Sequence, residues 1–135
     1  YLKALDADRL MYSFRQTAGL ETLGAAPYPG WEGPDCLLRG HFVGHYLTAL
    51  SLTYCSQGEE WARQRAEHLV KQLILCQEAL GAGYLSAFPI DHFERLEAGE
   101  TPVWAPYYTI HKIMAGLLDV YVHMGSGPAL HAVKE

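Results

Sequence analysis

The stretch Arg39-Gly-His-Phe-Val-Gly-His-Tyr46 sets two imidazoles, His41 and His45, four residues apart beside an arginine. On a helix that spacing puts both rings on one face, one turn apart. Three chemistries suit such a pair: sharing a metal ion, hydrogen bonding to a polyhydroxylated ligand, or filling a polar part of the core. A zinc site needs a third ligand, and neither that nor the glutamate of a His-Glu-x-x-His motif is present. Hydroxyl recognition is the favoured chemistry, because a neutral imidazole can both donate and accept.

Other side chains could join this pair. Trp31, Tyr84, Trp104, Tyr107 and Tyr108 could offer aromatic faces to a pentose ring, or simply fill loop bases. Asp35 is placed to pair with Arg39 and brace the loop between them. Glu32 and Asp91 are the loop carboxylates nearest the motifs, and both are weak acid/base candidates. His68, His92, His123 and His131 read as surface or satisfied histidines. Gly40 and Gly44 are expected to permit close packing. Cys36, Cys55 and Cys76 form no CxxC pair. Cys55 and Cys76, inside apolar runs, are expected to be buried free thiols.

The elements that position these residues follow from periodicity. Asp6–Ala18 predicts a first helix with Asp6 as its N-cap. Residues 19–38 hold too many glycines and prolines for a helix and predict a long loop. A second helix is expected from about Leu37 to Ser56. No Asp, Glu, Lys or Arg falls between Arg39 and Glu59, so this helix should be buried on all sides. Glu59–Leu80 alternates an apolar stripe with a charged face, as a surface helix does. A second long loop spans 81–106, with a helical turn near Asp91–Ala98. Pro106–Met124 predicts a fourth helix with proline in its first turn, and Pro128 opens a fifth.

Residues 45–58 and 111–125 echo one another: each begins with His, carries Ala four later, and ends on Gly. His45 and His111 are 66 residues apart, room for one hairpin and its loop. Apolar helices alternating with amphipathic ones suggest a helical repeat. Long loops favour a closed α/α toroid over an open solenoid, whose connections are usually short. The expected fold is all-α: hairpins forming part of an (α/α)6 barrel, left incomplete by residues 1–135, which read as one domain. With 135 residues, a net charge of −5 and a pI near 5.8, nothing suggests a nucleic-acid surface. No apolar run is long enough to span a bilayer.

Four motifs then fall in order: Trp31-Glu-Gly-Pro-Asp35, Leu38–Leu50, Gly83-Tyr-Leu-Ser-Ala-Phe-Pro89 and Val103–Leu117. Together they resemble the N-terminal part of the β-L-arabinofuranosidase family, glycoside hydrolase family 127, and its relative family 146. The resemblance implies an (α/α)6 barrel that releases terminal β-linked L-arabinofuranose with retention of configuration. It also implies a cysteine nucleophile, a glutamate acid/base, and a zinc ion held by cysteines and a glutamate. Those residues are expected beyond residue 135, because none of the three cysteines here lies in a matching motif. No metal ligand is therefore assigned in this segment, which is expected to be inactive alone and to need the rest of the polypeptide to complete the barrel. A carbohydrate is the expected partner, with neither nucleic acid nor membrane. His45, His111, His41, Trp31, Asp35, Tyr84 and Tyr108 are the candidate substrate-binding residues. Two alternatives stay open: a lyase or epimerase on the same architecture, and a non-catalytic helical-repeat module.

Overall fold

A computed structural model describes all of residues 1–135. The chain is all-helical. After a single helical turn at Leu2–Ala4 come α1 (Ala7–Leu10), α2 (Tyr12–Thr17), α3 (His41–Gln57), α4 (Glu60–Leu80), α5 (Asp91–Glu97), α6 (Pro106–Met124) and α7 (Gly127–Lys134). The Asp6 side chain caps α1, accepting from the backbone N–H groups of Asp8 and Arg9. The expected first helix is present as α1 and α2, divided at Met11, where ψ opens to −6°. The second helix begins at His41 rather than Leu37. Gly40 stands at φ +97°, a left-handed conformation that ends the preceding turns. A Cβ at Gly40 would also come 2.7 Å from that of Ala87.

α3 packs against α4 and α6 against α7, and α3 lies parallel to α6. Leu38 accepts from Thr109 near their starts, and Thr48 donates to Asp119 (2.6 Å) ten residues further along each chain segment. Between these points Gly44 and Gly116 let the backbones touch. A Cβ on Gly44 would collide with the Lys112 carbonyl, and one on Gly116 with the Gly44 carbonyl. The expected packing role of Gly44 holds, with Gly116 as its unforeseen partner. The core joins Val43, Leu47 and Leu50 of α3 to Leu69, Leu73 and Cys76 of α4 and Ile113, Leu117 and Val120 of α6. Two parallel inner helices, each backed by an antiparallel outer one, form an incomplete α/α barrel. Both long loops gather at the N-terminal end of α3 and α6.

α3 is not buried on all sides. His45, Leu52 (52% exposed) and Cys55 lie on a face that neither α4 nor α6 covers. The same face explains why Cys55 is exposed while Cys76 is buried as expected. No helix is long and apolar enough to cross a membrane.

Candidate functional site

Glu32, on a helical turn at Gly30–Glu32, aims its carboxylate at the start of α3. Its Oε2 accepts from the Gly40 N–H (2.7 Å) and its Oε1 from the Phe42 N–H (3.0 Å). The first amides of a helix lack intrahelical partners and lie at the positive end of its dipole. Glu32 is therefore a cap supplied from outside the helix, where Gly40 has no side chain to give one. The same Oε1 lies 2.9 Å from Nδ1 of His41, which also lies 2.8 Å from the Leu38 carbonyl. Both neighbours are acceptors, so Nδ1 carries the proton. The Glu32 and His41 side chains are only 11% and 7% exposed.

His41 and His45 are driven in opposite directions. Burial disfavours the His41 imidazolium, but the hydrogen bond and charge of Glu32, with the Leu38 carbonyl, outweigh it and raise the pKa above the ordinary 6.5. At His45, desolvation, then the positive charges of Lys112 and His41, lower the pKa, with Glu32 opposing. His45 is exposed, and its Nε2 lies 3.3 Å from the Tyr108 hydroxyl. His41 is the hub of the rings. It meets His45 edge-on at 5.9 Å and lies 6.1 Å from both Trp31 and Tyr108. The Lys112 ammonium sits 5.0 Å from the centre of the Tyr108 ring. Trp31 is 67% exposed and Tyr108, with Lys112 over its ring, 41%.

His111 lies on the exposed side of α6, one turn beyond Tyr107, and makes no side-chain hydrogen bond. It is not level with His45: the Leu38–Thr109 and Thr48–Asp119 contacts, each 71 residues apart, put His45 beside Gly116 and His111 nearer the helix start, beside Gly40. Tyr84 is elsewhere. Its hydroxyl donates to the Phe88 carbonyl (2.7 Å), its ring meets Phe93, and burial pushes its phenol up to about 12. Asp35 is exposed and forms no ion pair with Arg39. The Arg39 guanidinium instead donates to the carbonyls of Ala87 (2.8 Å) and Cys36 (3.0 Å). It does brace a loop, by tying the first long loop to the second. His92 is neither on the surface nor satisfied. It is 8% exposed, stacked on Phe88 at 4.8 Å, and its Nδ1 has no hydrogen-bond partner.

Glu32, a weak acid/base candidate by sequence, serves instead as a cap, and Lys112 was not foreseen at all. Glu32 lies outside the helix it caps, at a spacing no capping motif describes. Lys112 carried a usable signal, four residues after Tyr108 on the same helix. A cleft of about 230 Å³ adjoins the cluster, lined by Trp31, Glu32 and His41 with Leu5, Leu10 and Tyr28. The larger groove, about 530 Å³, lies between α4 and the α6–α7 turn and holds no imidazole.

This arrangement can recognise hydroxyl groups. A neutral imidazole, a phenol and an ammonium provide donors and acceptors beside exposed aromatic rings. Glu32 is not placed as one of a pair of facing carboxylates. Both Glu32 oxygens are engaged, and no second carboxylate faces it, whereas glycoside hydrolysis ordinarily uses two acidic groups. The residues also do not fit a zinc site. No three His, Cys, Asp or Glu side chains cluster closely enough, and His41 Nδ1 is already committed.

Compared with known families, residues 1–135 match the model of the β-L-arabinofuranosidase, GH127 catalytic domain. No curated protein sequence matches the chain closely.

Proposed function

We propose a function from one premise: the chain belongs to the GH127 β-L-arabinofuranosidase catalytic-domain family. Its enzyme removes terminal β-linked L-arabinofuranose from a glycan with retention of configuration. The whole-length family match is the observation that carries this reading. The local support is the pairing of the exposed imidazole of His45 with Tyr108 beside the exposed ring of Trp31.

In this reading residues 1–135 build one wall of the sugar site. His45 and His111 hydrogen-bond the sugar hydroxyls. Trp31 and Tyr108 offer ring faces, and His41 orients its neighbours from behind. Asp35 and Tyr84 belong to the loops at the rim. The nucleophilic cysteine, the acid/base glutamate and the zinc ligands come from chain outside these residues. The zinc would hold the nucleophilic sulfur as a thiolate.

The test is hydrolysis of an aryl β-L-arabinofuranoside by the full-length protein, with proton NMR of the first-formed sugar. The expected result is release of β-L-arabinofuranose as the initial anomer, abolished by a zinc chelator and restored by zinc. An inverted product would remove the retaining mechanism. Activity indifferent to the chelator would remove the zinc.

A further inference from the structure

The Glu32 carboxylate performs two tasks that are usually separate. It closes the open amides of α3, and it holds the imidazole from which the exposed His45 is approached. We infer that Glu32 is a positioning residue for the His41–His45 pair: it fixes the start of α3, holds His41 with Nδ1 protonated and favours its charged form, so that His45 meets the ligand as a neutral imidazole in one orientation. The inference rests on the reading above only in taking His45 to face a carbohydrate.

Three observations support it. First, Nδ1 of His41 points at two acceptors at once, Glu32 Oε1 (2.9 Å) and the Leu38 carbonyl (2.8 Å). That geometry leaves no room for the tautomer with a bare Nδ1. Second, the pair is largely removed from solvent, where an ion pair with backbone hydrogen bonds is screened less than at the surface. Third, the His41 and His45 rings meet edge-on at 5.9 Å, close enough for charge on one to oppose charge on the other.

The groups around His41 point the same way. Glu32 comes from the loop, His45 from its own helix, Tyr108 and Lys112 from α6, and Tyr28 and Tyr1 from the cleft behind. Among these, Glu32 is the one anion. Lys112 adds a second positive charge near His45, which further disfavours its protonation. A neutral imidazole keeps one donor and one acceptor, the form that can bridge adjacent hydroxyls. An imidazolium has lost the acceptor.

The experiment uses the full-length protein labelled with ¹⁵N at histidine, and follows the His41 and His45 ring nitrogens by NMR through a pH titration. In the wild type His41 titrates at higher pH than His45, and the reverse order overturns the inference. In Glu32→Gln, which keeps an acceptor but loses the charge, the His41 midpoint falls and the His45 midpoint rises. Loss of the Glu32 charge by itself would lower the His45 midpoint, so a midpoint that stays or falls means that the His41 charge does not govern His45 and overturns the inference. If Glu32→Gln does not fold, His41→Gln carries the same test, since removing the neighbouring charge should raise the His45 midpoint. With an aryl β-L-arabinofuranoside at pH 7, Glu32→Gln should raise KM about tenfold and change kcat less than about threefold. A fall confined to kcat overturns the positioning role. If the wild type does not cleave this substrate, the functional reading fails, while the titrations still decide whether Glu32 sets the two charge states.

Discussion

His45 and His111 lie on parallel helices at different levels, one hydrogen-bonded to Tyr108 and the other without a side-chain partner. Neither holds the core together, so truncating either should harm binding more than folding. His45→Ala and His111→Ala are each expected to lower kcat/KM for an aryl β-L-arabinofuranoside about 10–100-fold, a loss of about 1.4–2.7 kcal/mol. The unfolding midpoint of each should stay near that of the wild type. Equal losses of activity and stability would return both residues to a structural role. His92 is the contrasting case, buried with an orphaned Nδ1 and a pKa lowered chiefly by desolvation. Its neutral form is favoured by folding, so that contribution is present above pH 6.5 and is lost as pH falls through the lowered midpoint. His41 runs the other way: its contribution is present below pH 6.5 and is lost as pH rises through the raised midpoint. His92→Phe, which keeps the stack on Phe88 and removes the orphaned nitrogen, should gain about 1 kcal/mol by urea denaturation. It should also flatten the acid side of the stability profile. A destabilised variant with unchanged acid sensitivity would contradict this account of His92.

At the scale of elements, the contact between α3 and α6 rests on two glycines. Gly44→Ala or Gly116→Ala would drive a methyl group into a facing carbonyl. Each should cost about 2–3 kcal/mol in the full-length protein, because overpacked backbone cannot give way as a flexible side chain can. Gly127→Ala is the control: nothing lies within 4 Å of its Cβ position, and its effect should stay within about 1 kcal/mol. Similar losses at all three glycines by thermal denaturation would argue against the close contact. Much of this layer was legible in the sequence. The stripe of α4, the N-cap at Asp6, the proline opening of α6 and the close-packing Gly44 all follow from local chemistry. The start of α3 was not legible, because it depends on Glu32 reaching across a loop. The partner of Arg39 was not legible either. Asp35 was the near choice by sequence, but the carbonyl of Ala87, 48 residues away, is what the fold brings within reach.

At the scale of the molecule, the all-helical class and the repeated hairpin were readable from alternating apolar and amphipathic runs. What composition hid was coverage. The uncharged α3 reads as wholly buried, yet it shares an open side with α6, where Met114, Leu118, Tyr121 and Val122 stand exposed. An apolar face of this kind favours association when nothing covers it. Residues 1–135 alone should therefore associate with rising concentration in sedimentation velocity and show no glycosidase activity. A monomeric piece that unfolds cooperatively would contradict this. The central claim, that this wall of the barrel presents His45 to an arabinofuranose, meets its most direct test in one comparison. Wild-type and His45→Ala full-length proteins are assayed against aryl β- and α-L-arabinofuranosides under the same conditions. The account predicts cleavage of the β anomer by the wild type, loss of at least about tenfold in kcat/KM on substitution, and no comparable activity on the α anomer. Undiminished β cleavage by a folded His45→Ala protein would contradict it.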